Sequence, residues 1–162
     1  IDCMKLKDTL EKKFGGEWKV IVKAHMHNRH NSQLRHMFAN RDSIIDASDY
    51  IDMQELIAAA DVGITDYSSW IFDFMLKGAP AFIYARDIKQ YINSRGFYYP
   101  LSETPFSIAE NDETLSKNIM DFDEADYAEA VKKFLDDKQC YEDGHAAERI
   151  VDFICELSAE AK

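Results

Sequence analysis

Residues 61–73 have the sequence DVGITDYSSWIFD. The apolar run at 62–64 is typical of a buried strand in a parallel sheet. A polar run, TDYSS, follows where the next helix is predicted to begin, and it supplies four hydroxyls and a carboxylate. Ligands bind beyond the carboxyl ends of strands in open parallel sheets, and the unpaired N–H groups of a helix start attract anions. The stretch therefore predicts a phosphate-binding corner with Thr65, Ser68 and Ser69 as candidate contacts.

A carboxylate extends this corner. Asp73 follows Ser69 by four residues, so both lie on one helix face, one turn apart. There Asp73 is placed to accept hydrogen bonds from an uncharged group such as a sugar hydroxyl. Ser and Asp are also common N-cap residues, so helix capping alone is a competing interpretation of the same pattern.

A basic segment lies earlier in the chain. Residues 18–24 alternate and are β-branched at Val20, Ile21 and Val22, which predicts a strand that ends at His25. From position 19 to position 41 there are three arginines, two lysines and four histidines, with no Asp or Glu. In a chain of net charge −11 this is a local positive field, which suits a phosphate or pyrophosphate ligand.

The histidines of this segment have other interpretations. His25 and His27 have the H-x-H spacing of some metal sites, but a catalytic metal needs further ligands that the sequence does not identify. His27, His30 and His36 also fit solvated surface positions. His25 differs because it lies closest to the predicted strand end. We expect no metal and no cofactor.

Helical and strand patterns alternate along the chain. Strands are predicted at 19–24, 43–47, 62–65 and 81–84, and helices at 2–14, 52–60, 69–76, 113–120, 125–135 and 141–157. Such alternation predicts right-handed β-α-β crossovers and an α/β fold, a Rossmann-like doubly wound parallel sheet. The last three helices, over about 111–160, are expected to pack as a C-terminal helical cover.

Composition limits the class of protein. A chain of 162 residues that is 46% hydrophobic predicts one domain over residues 1–162. Three cysteines without C-x-x-C spacing indicate a reducing compartment. No apolar run approaches the roughly 20 residues of a spanning helix. The sequence begins without Met, and we expect it to be a fragment of a longer, two-domain enzyme.

The charge is unevenly distributed. Residues 1–100 hold thirteen basic and thirteen acidic side chains, whereas residues 101–162 hold six and seventeen. The whole net charge therefore comes from the last third of the chain, where acidic helices are most simply a solvated surface. This distribution argues against a nucleic-acid partner, which would need a basic face.

Several ordered motifs resemble one known family. They are Lys23-Ala24-His25, Asp52-Met53-Gln54-Glu55-Leu56-Ile57, the run from Ala60 to Ser69, Phe72-Asp73, Phe82-Ile83-Tyr84, Asp87, Tyr91 and Arg95-Gly96-Phe97. Together they are similar to the CDP-glycerol glycerophosphotransferases, the teichoic acid primases and polymerases, well over about residues 15–100 and more loosely beyond. Members resemble two-domain glycosyltransferases of the B type, and this chain resembles their second, donor-binding domain.

The resemblance implies roles for individual residues. His25 corresponds to the family's histidine beside the donor pyrophosphate, which is needed for activity. Ser68 and Ser69 correspond to paired serines that would hold donor phosphate, and Asp73 to an acid that follows phenylalanine. Arg95 is a further candidate for donor contact.

The implied reaction is attack by an acceptor hydroxyl at the β-phosphorus of CDP-glycerol, with release of CMP. The acceptor is a poly(glycerol phosphate) or related glycan, bound through the first domain, which this chain lacks. The fragment alone is therefore expected to be inactive. The implied location is cytoplasmic, with peripheral association of the full-length enzyme at the inner face of the cell membrane.

Two alternatives remain open. One is a similar transferase that uses CDP-ribitol or a nucleotide sugar, because the fold does not determine the donor. The other is a noncatalytic nucleotide-binding module that has kept the sheet and lost the chemistry.

Overall fold

The computed structural model describes residues 1–24 and 42–160. Its helices are α1 (Cys3–Phe14), α2 (Met53–Ala59), α3 (Trp70–Leu76), α4 (Ile88–Ser94), α5 (Asp112–Met120), α6 (Glu124–Asp137) and α7 (Ala146–Glu160). Its strands are β1 (Val20–Val22), β2 (Ile44–Asp46), β3 (Gly63–Thr65), β4 (Ala81–Tyr84) and β5 (Ser107–Ala109), and Leu101–Glu103 forms a 3-10 turn.

The strands in this part of the chain pair in parallel. β1 pairs with β2, and β3, β4 and β5 form a three-stranded sheet with β4 in the centre. Thr65 lies opposite Ile83, and Ile83 lies opposite Ile108. Parallel neighbours require a crossover connection, and α3 provides one between β3 and β4. The predicted α/β class with parallel strands and flanking helices is confirmed.

Helices cover both faces of the central strand β4. Phe82 is fully buried and packs in a cluster that includes Ile119 of α5. Ile83, next along the strand, belongs to a second cluster with Phe74 of α3 and Phe134 of α6. The burial of Phe82 contributes about 1.5–3 kcal/mol to folding. Successive residues of β4 therefore place apolar side chains on opposite faces of the sheet, and helices pack on each face. This is the doubly wound arrangement that the sequence predicts.

The sequence analysis missed strand β5. The segment Ser107–Ala109 has only one β-branched residue, so its local pattern does not identify a strand. It pairs with β4, and just beyond the ladder the N–H of Ala85 donates to the carbonyl oxygen of Ala109 at 2.7 Å. The pairing partner, rather than intrinsic propensity, determines this strand.

Aspartate side chains cap the first two helices. The Asp2 carboxylate accepts hydrogen bonds from two N–H groups in the first turn of α1, and Asp52 does the same for α2. Gly15 follows α1 with φ +74° and ψ −173°. Its positive φ explains the glycine, but its ψ lies outside the left-handed helical region of the usual C-terminal cap.

All three predicted C-terminal helices are present, but not all of them pack against the rest of the domain. Buried side chains anchor α5 and α6, namely Leu115, Ile119, Tyr127 and Phe134. The large apolar side chains of α7 are at least half exposed, so the expectation that this helix packs in the cover is wrong. An amphipathic period predicts an apolar face but does not identify its partner. None of the helices in the two described ranges is long and apolar enough to cross a membrane.

The last helix also begins later than predicted. It starts at Ala146 rather than at residue 141. The preceding Gly144 has φ +81°, and the Asp143 carboxylate accepts a hydrogen bond from the N–H of His145. This turn chemistry delays the helix start.

Candidate functional site

The predicted phosphate corner lies at the carboxyl end of β3. Thr65 is the last residue of that strand, and α3 begins at Trp70. Residues 66–69 form the connection, which we call the serine loop. Because β4 lies beside β3 and runs in the same direction, the residues that follow β4 flank this loop. The loop therefore occupies the sheet edge where ligands bind in parallel α/β folds.

The two serines of the loop have hydroxyls that form no hydrogen bond with the described residues. Ser68 and Ser69 are both exposed. Ser69 occupies the N-cap position of α3, but its backbone is helical (φ −67°, ψ −15°) and its side chain makes no capping hydrogen bond. The capping interpretation is therefore wrong for Ser69. Both hydroxyls remain available to a ligand.

Thr65 and Asp73 differ in accessibility. Thr65 is only 9% exposed, which makes it the least accessible of the described candidates. Asp73 is exposed on α3, and its Oδ2 lies 3.5 Å from the Nε2 of Gln54 in α2. A hydrogen bond of that length is weak, so the carboxylate retains most of its capacity to accept a hydrogen bond from a ligand.

An aromatic cluster that the sequence analysis did not identify as part of the site supports the serine loop. It consists of Tyr67, Tyr91 and Phe97. Tyr67 and Tyr91 stack with ring centroids 3.8 Å apart, and Phe97 lies 5.0 Å from Tyr91. The hydroxyl of Tyr67 donates to Oδ1 of Asp87 at 2.6 Å. Burial, and then this hydrogen bond, raise the pKa of Tyr67 far above its ordinary value. Tyr67 is therefore a neutral donor across the physiological range.

The cluster joins the serine loop to the segment that carries Arg95. Arg95 directly follows α4, and its N–H donates to the carbonyl oxygen of Tyr91 at 2.9 Å. Its side chain is exposed and forms no ion pair with any described residue. Arg86, immediately beyond β4, is also an exposed arginine without an ion pair in the described ranges. Arg86 and Arg95 thus place two exposed cations on the segment that follows β4, and a phosphate site combines cations with hydroxyl donors such as those of the serine loop.

His25 lies outside the described residues, as do His27, His30 and His36. The strand that precedes His25 in the sequence lies where it is predicted. β1 is Val20–Val22, within the predicted range 19–24, and the N–H of Ala24 donates to Oγ of Ser48 at 3.2 Å. The role of His25 stays a prediction.

Comparison with known proteins identifies the relatives of this chain. Residues 4–156 match the family described as CDP-Glycerol:Poly(glycerophosphate) glycerophosphotransferase. The teichoic acid ribitol-phosphate primase of Bacillus spizizenii is 31% identical over 155 residues, which cover 95% of this chain and 38% of that protein. The teichoic acid glycerol-phosphate primase of Bacillus subtilis is 32% identical over 139 residues, which cover 85% of this chain and 35% of that protein.

Solved structures give the same relationship. The wall teichoic acid polymerase TagF matches with a TM-score of 0.66 and 30% identity, over 95% of this chain and 38% of that one. A TagF variant soaked with CDPG matches with a TM-score of 0.65 and 30% identity, over 95% of this chain and 39% of that one. The chain spans about 38% of the length of the first of these relatives. The ordered motifs, the parallel α/β fold and a match over nearly the whole sequence agree, and the chain belongs to the CDP-glycerol:poly(glycerophosphate) glycerophosphotransferase family.

Proposed function

We propose that this chain is the donor-binding domain of a two-domain enzyme that transfers glycerol phosphate from CDP-glycerol to a teichoic acid or related glycan. The main support is the pair of exposed hydroxyls of Ser68 and Ser69 at the carboxyl end of β3, which form no hydrogen bond with the described residues. Family membership and the solved TagF variant soaked with CDPG support the same donor class. The serine loop would bind the diphosphate of the donor.

Each candidate has a role that its chemistry allows. The hydroxyls of Ser68 and Ser69 donate hydrogen bonds to phosphate oxygens, and Arg95 adds a cation that neutralises charge. The exposed carboxylate of Asp73 accepts hydrogen bonds from the glycerol hydroxyls. Thr65 is largely buried, so it contributes at most one hydrogen bond through its hydroxyl.

The reaction forms one bond at phosphorus and breaks another. The acceptor oxygen attacks the β-phosphorus of CDP-glycerol, and the bond from that phosphorus to the bridging oxygen breaks, so that CMP leaves. A loose transition state of this kind needs its spread negative charge neutralised. His25, held charged by the adjacent pyrophosphate, would stabilise the leaving phosphate or donate a proton to it. The acceptor proton passes to a base in the part of the enzyme outside these residues.

Ribitol phosphate transfer is a second candidate. Relatives of both kinds match this chain at similar identity, 31% for the ribitol-phosphate primase and 32% for the glycerol-phosphate primase. CDP-ribitol has the same nucleotide and diphosphate, so the serine loop and His25 would act on both donors alike. Only contacts to the alditol hydroxyls, such as those of Asp73, would discriminate between the two.

The acceptor and the location concern the full-length enzyme. We propose that the acceptor, a poly(glycerol phosphate) or related glycan, binds to the domain outside these residues. Any peripheral attachment to the inner face of the membrane would also reside there. The acidic final third of this chain, with six basic and seventeen acidic residues, is repelled by anionic lipid headgroups.

Calorimetric titration of the chain with CDP-glycerol, CDP-ribitol, CMP and a uridine nucleotide sugar tests the proposal. CDP-glycerol and CDP-ribitol should bind, and Ser69→Ala should weaken their binding by about 1–3 kcal/mol, the range for a hydrogen bond to a charged group. Ser102→Ala is the matched control, because Ser102 is an exposed serine of the 3-10 turn, remote in sequence from the loop. Equal affinity of wild-type protein and Ser69→Ala would contradict the proposed site.

A second comparison tests whether the domain retains its chemistry. A noncatalytic nucleotide-binding module predicts weak affinity that does not change in His25→Ala. The donor-binding proposal predicts that His25→Ala loses affinity for the diphosphate donors, whereas His145→Ala, a change at an exposed histidine before α7, leaves it unchanged.

A further inference from the structure

The serine loop has one side-chain hydrogen bond to a distant part of the described chain. Within the loop, the Asp66 carboxylate accepts from the N–H of Tyr67 at 2.6 Å, and the carbonyl oxygen of Ser69 accepts from the N–H of Phe72. These contacts are local. The bond from the Tyr67 hydroxyl to Asp87 instead connects residues twenty positions apart.

The length of this bond indicates a strong interaction. A phenol that donates to a carboxylate forms a short, charge-assisted hydrogen bond, and the observed 2.6 Å has that length. Burial and the nearby carboxylate keep Tyr67 protonated. At neutral pH the Tyr67 hydroxyl therefore remains the donor in this bond.

Stacking fixes the same side chain a second time. The ring of Tyr67 lies 3.8 Å from that of Tyr91 at an interplanar angle of 22°, and 5.8 Å from that of Phe97. Tyr91 and Phe97 flank Arg95 in the sequence. Tyr67 is thus held by its hydroxyl and by its ring, both against the segment that follows β4.

This fastening acts directly on the two serines. Ser68 is the next residue along the chain, and neither Ser68 nor Ser69 has a side-chain hydrogen bond to the described residues. The loop contains no glycine, so its backbone geometry follows the anchored Tyr67 closely. Loss of the anchor would leave the hydroxyls attached to a loop with only local contacts.

We infer that Tyr67 and Asp87 are a positioning pair that holds the serine loop, with Ser68 and Ser69, in the geometry that receives the donor diphosphate. This inference rests on the proposed function. The pair acts through the serines and does not itself touch the donor. Because the loop is already ordered, donor binding does not incur the entropic cost of ordering it, and the affinity is higher.

The test compares two tyrosines that each donate to a carboxylate. Tyr67→Phe removes the bond to Asp87 and keeps the ring stack. Tyr84→Phe is the matched control, because the Tyr84 hydroxyl donates to Oδ1 of Asp112 at 3.0 Å and its side chain packs in a different hydrophobic cluster from that of Tyr67. Amide hydrogen exchange of the ligand-free chain, followed residue by residue, and titration with CDP-glycerol are measured on each variant.

Tyr67→Phe should raise amide exchange at residues 66–69 by at least about fivefold and weaken CDP-glycerol binding by about tenfold. Tyr84→Phe should do neither. Asp87→Asn, which keeps an oxygen acceptor but removes the charge, should give a smaller change than Tyr67→Phe in both quantities and serves if Tyr67→Phe does not fold.

Three outcomes separate this inference from the proposed function. Unchanged exchange at 66–69 in a folded Tyr67→Phe would overturn the positioning role. Weaker binding without a change in exchange would also overturn it, because Tyr67 would then contact the donor directly. If the wild-type chain binds no donor but Tyr67→Phe still raises amide exchange at residues 66–69, the proposed function is wrong. The inference that Tyr67 positions the loop is then retained.

Discussion

The ring of Phe74 occupies the space where a side chain of residue 63 would lie. A Cβ atom added to Gly63 would be 2.8 Å from Cδ1 of Phe74 and 3.0 Å from its Cε1. Glycine in a strand interior often marks such a close approach. It allows α3 to pack directly on β3, and α3 carries Asp73 and follows the serine loop.

Gly63→Ala should therefore destabilise the protein by about 1–3 kcal/mol, the range for overpacking a dense core. Urea denaturation measures the change. Phe74→Leu introduced into the Gly63→Ala background should recover part of the loss, because the smaller side chain relieves the contact. An unchanged unfolding midpoint for Gly63→Ala would show that β3 and α3 pack less closely than described.

Asp112 should make stability depend on pH in the acid range. Burial disfavours its ionisation, but hydrogen bonds from the N–H of Asp2 and from the Tyr84 hydroxyl outweigh that effect and lower its pKa. A carboxyl with a lowered pKa in the folded state contributes stability above its ordinary pKa of 3.8. That contribution is lost as the pH falls through the folded value.

Unfolding midpoints of the wild type and Asp112→Asn, measured from about pH 7 to about pH 2.5, check this sign. The advantage of the wild type should be constant above about pH 5 and shrink once the pH is below 3.8. Tyr84→Phe removes one of the two hydrogen bonds and should reduce the size of this acid-dependent loss. A wild-type advantage that grows toward low pH would contradict the assignment.

Asp73 should discriminate between ligands that share a nucleotide. If its carboxylate accepts hydrogen bonds from glycerol hydroxyls, Asp73→Asn should weaken the binding of CDP-glycerol by about 1 kcal/mol. The binding of CMP should be nearly unchanged. Calorimetry with both ligands measures the difference, and Asp137→Asn, at an exposed acid on α6, is the control. Equal losses for the two ligands would instead assign Asp73 to the nucleotide or to the fold.

Local patterns were sufficient for much of the fold. β4 was predicted at 81–84 and is found at Ala81–Tyr84, because a turn with Gly and Pro precedes a fully apolar run. The caps of α1 by Asp2 and of α2 by Asp52 agree with the general preference for aspartate at the N-cap. By contrast, β5 is three residues long and is determined by its pairing with β4, which no local window contains.

The site was predicted in part. Ser68, Ser69 and Asp73 follow a strand whose end is visible in the sequence, so their exposure at the sheet edge could be expected. Tyr67 and Asp87 lie in two separate motifs of the family resemblance, and their contact joins residues twenty positions apart and depends on how two loops meet. Periodicity carries no information on such a pairing.

Two-dimensional amide NMR during titration with CDP-glycerol tests the central claim most directly, because it locates the bound donor on the chain. The account predicts that the largest shifts fall at Thr65 and in the serine loop, residues 66–69, with smaller shifts at Asp73 and Arg95, and that Ser69→Ala reduces them at equal ligand concentration. Saturable binding with no shift between residues 65 and 73 would contradict the claim that this loop receives the donor.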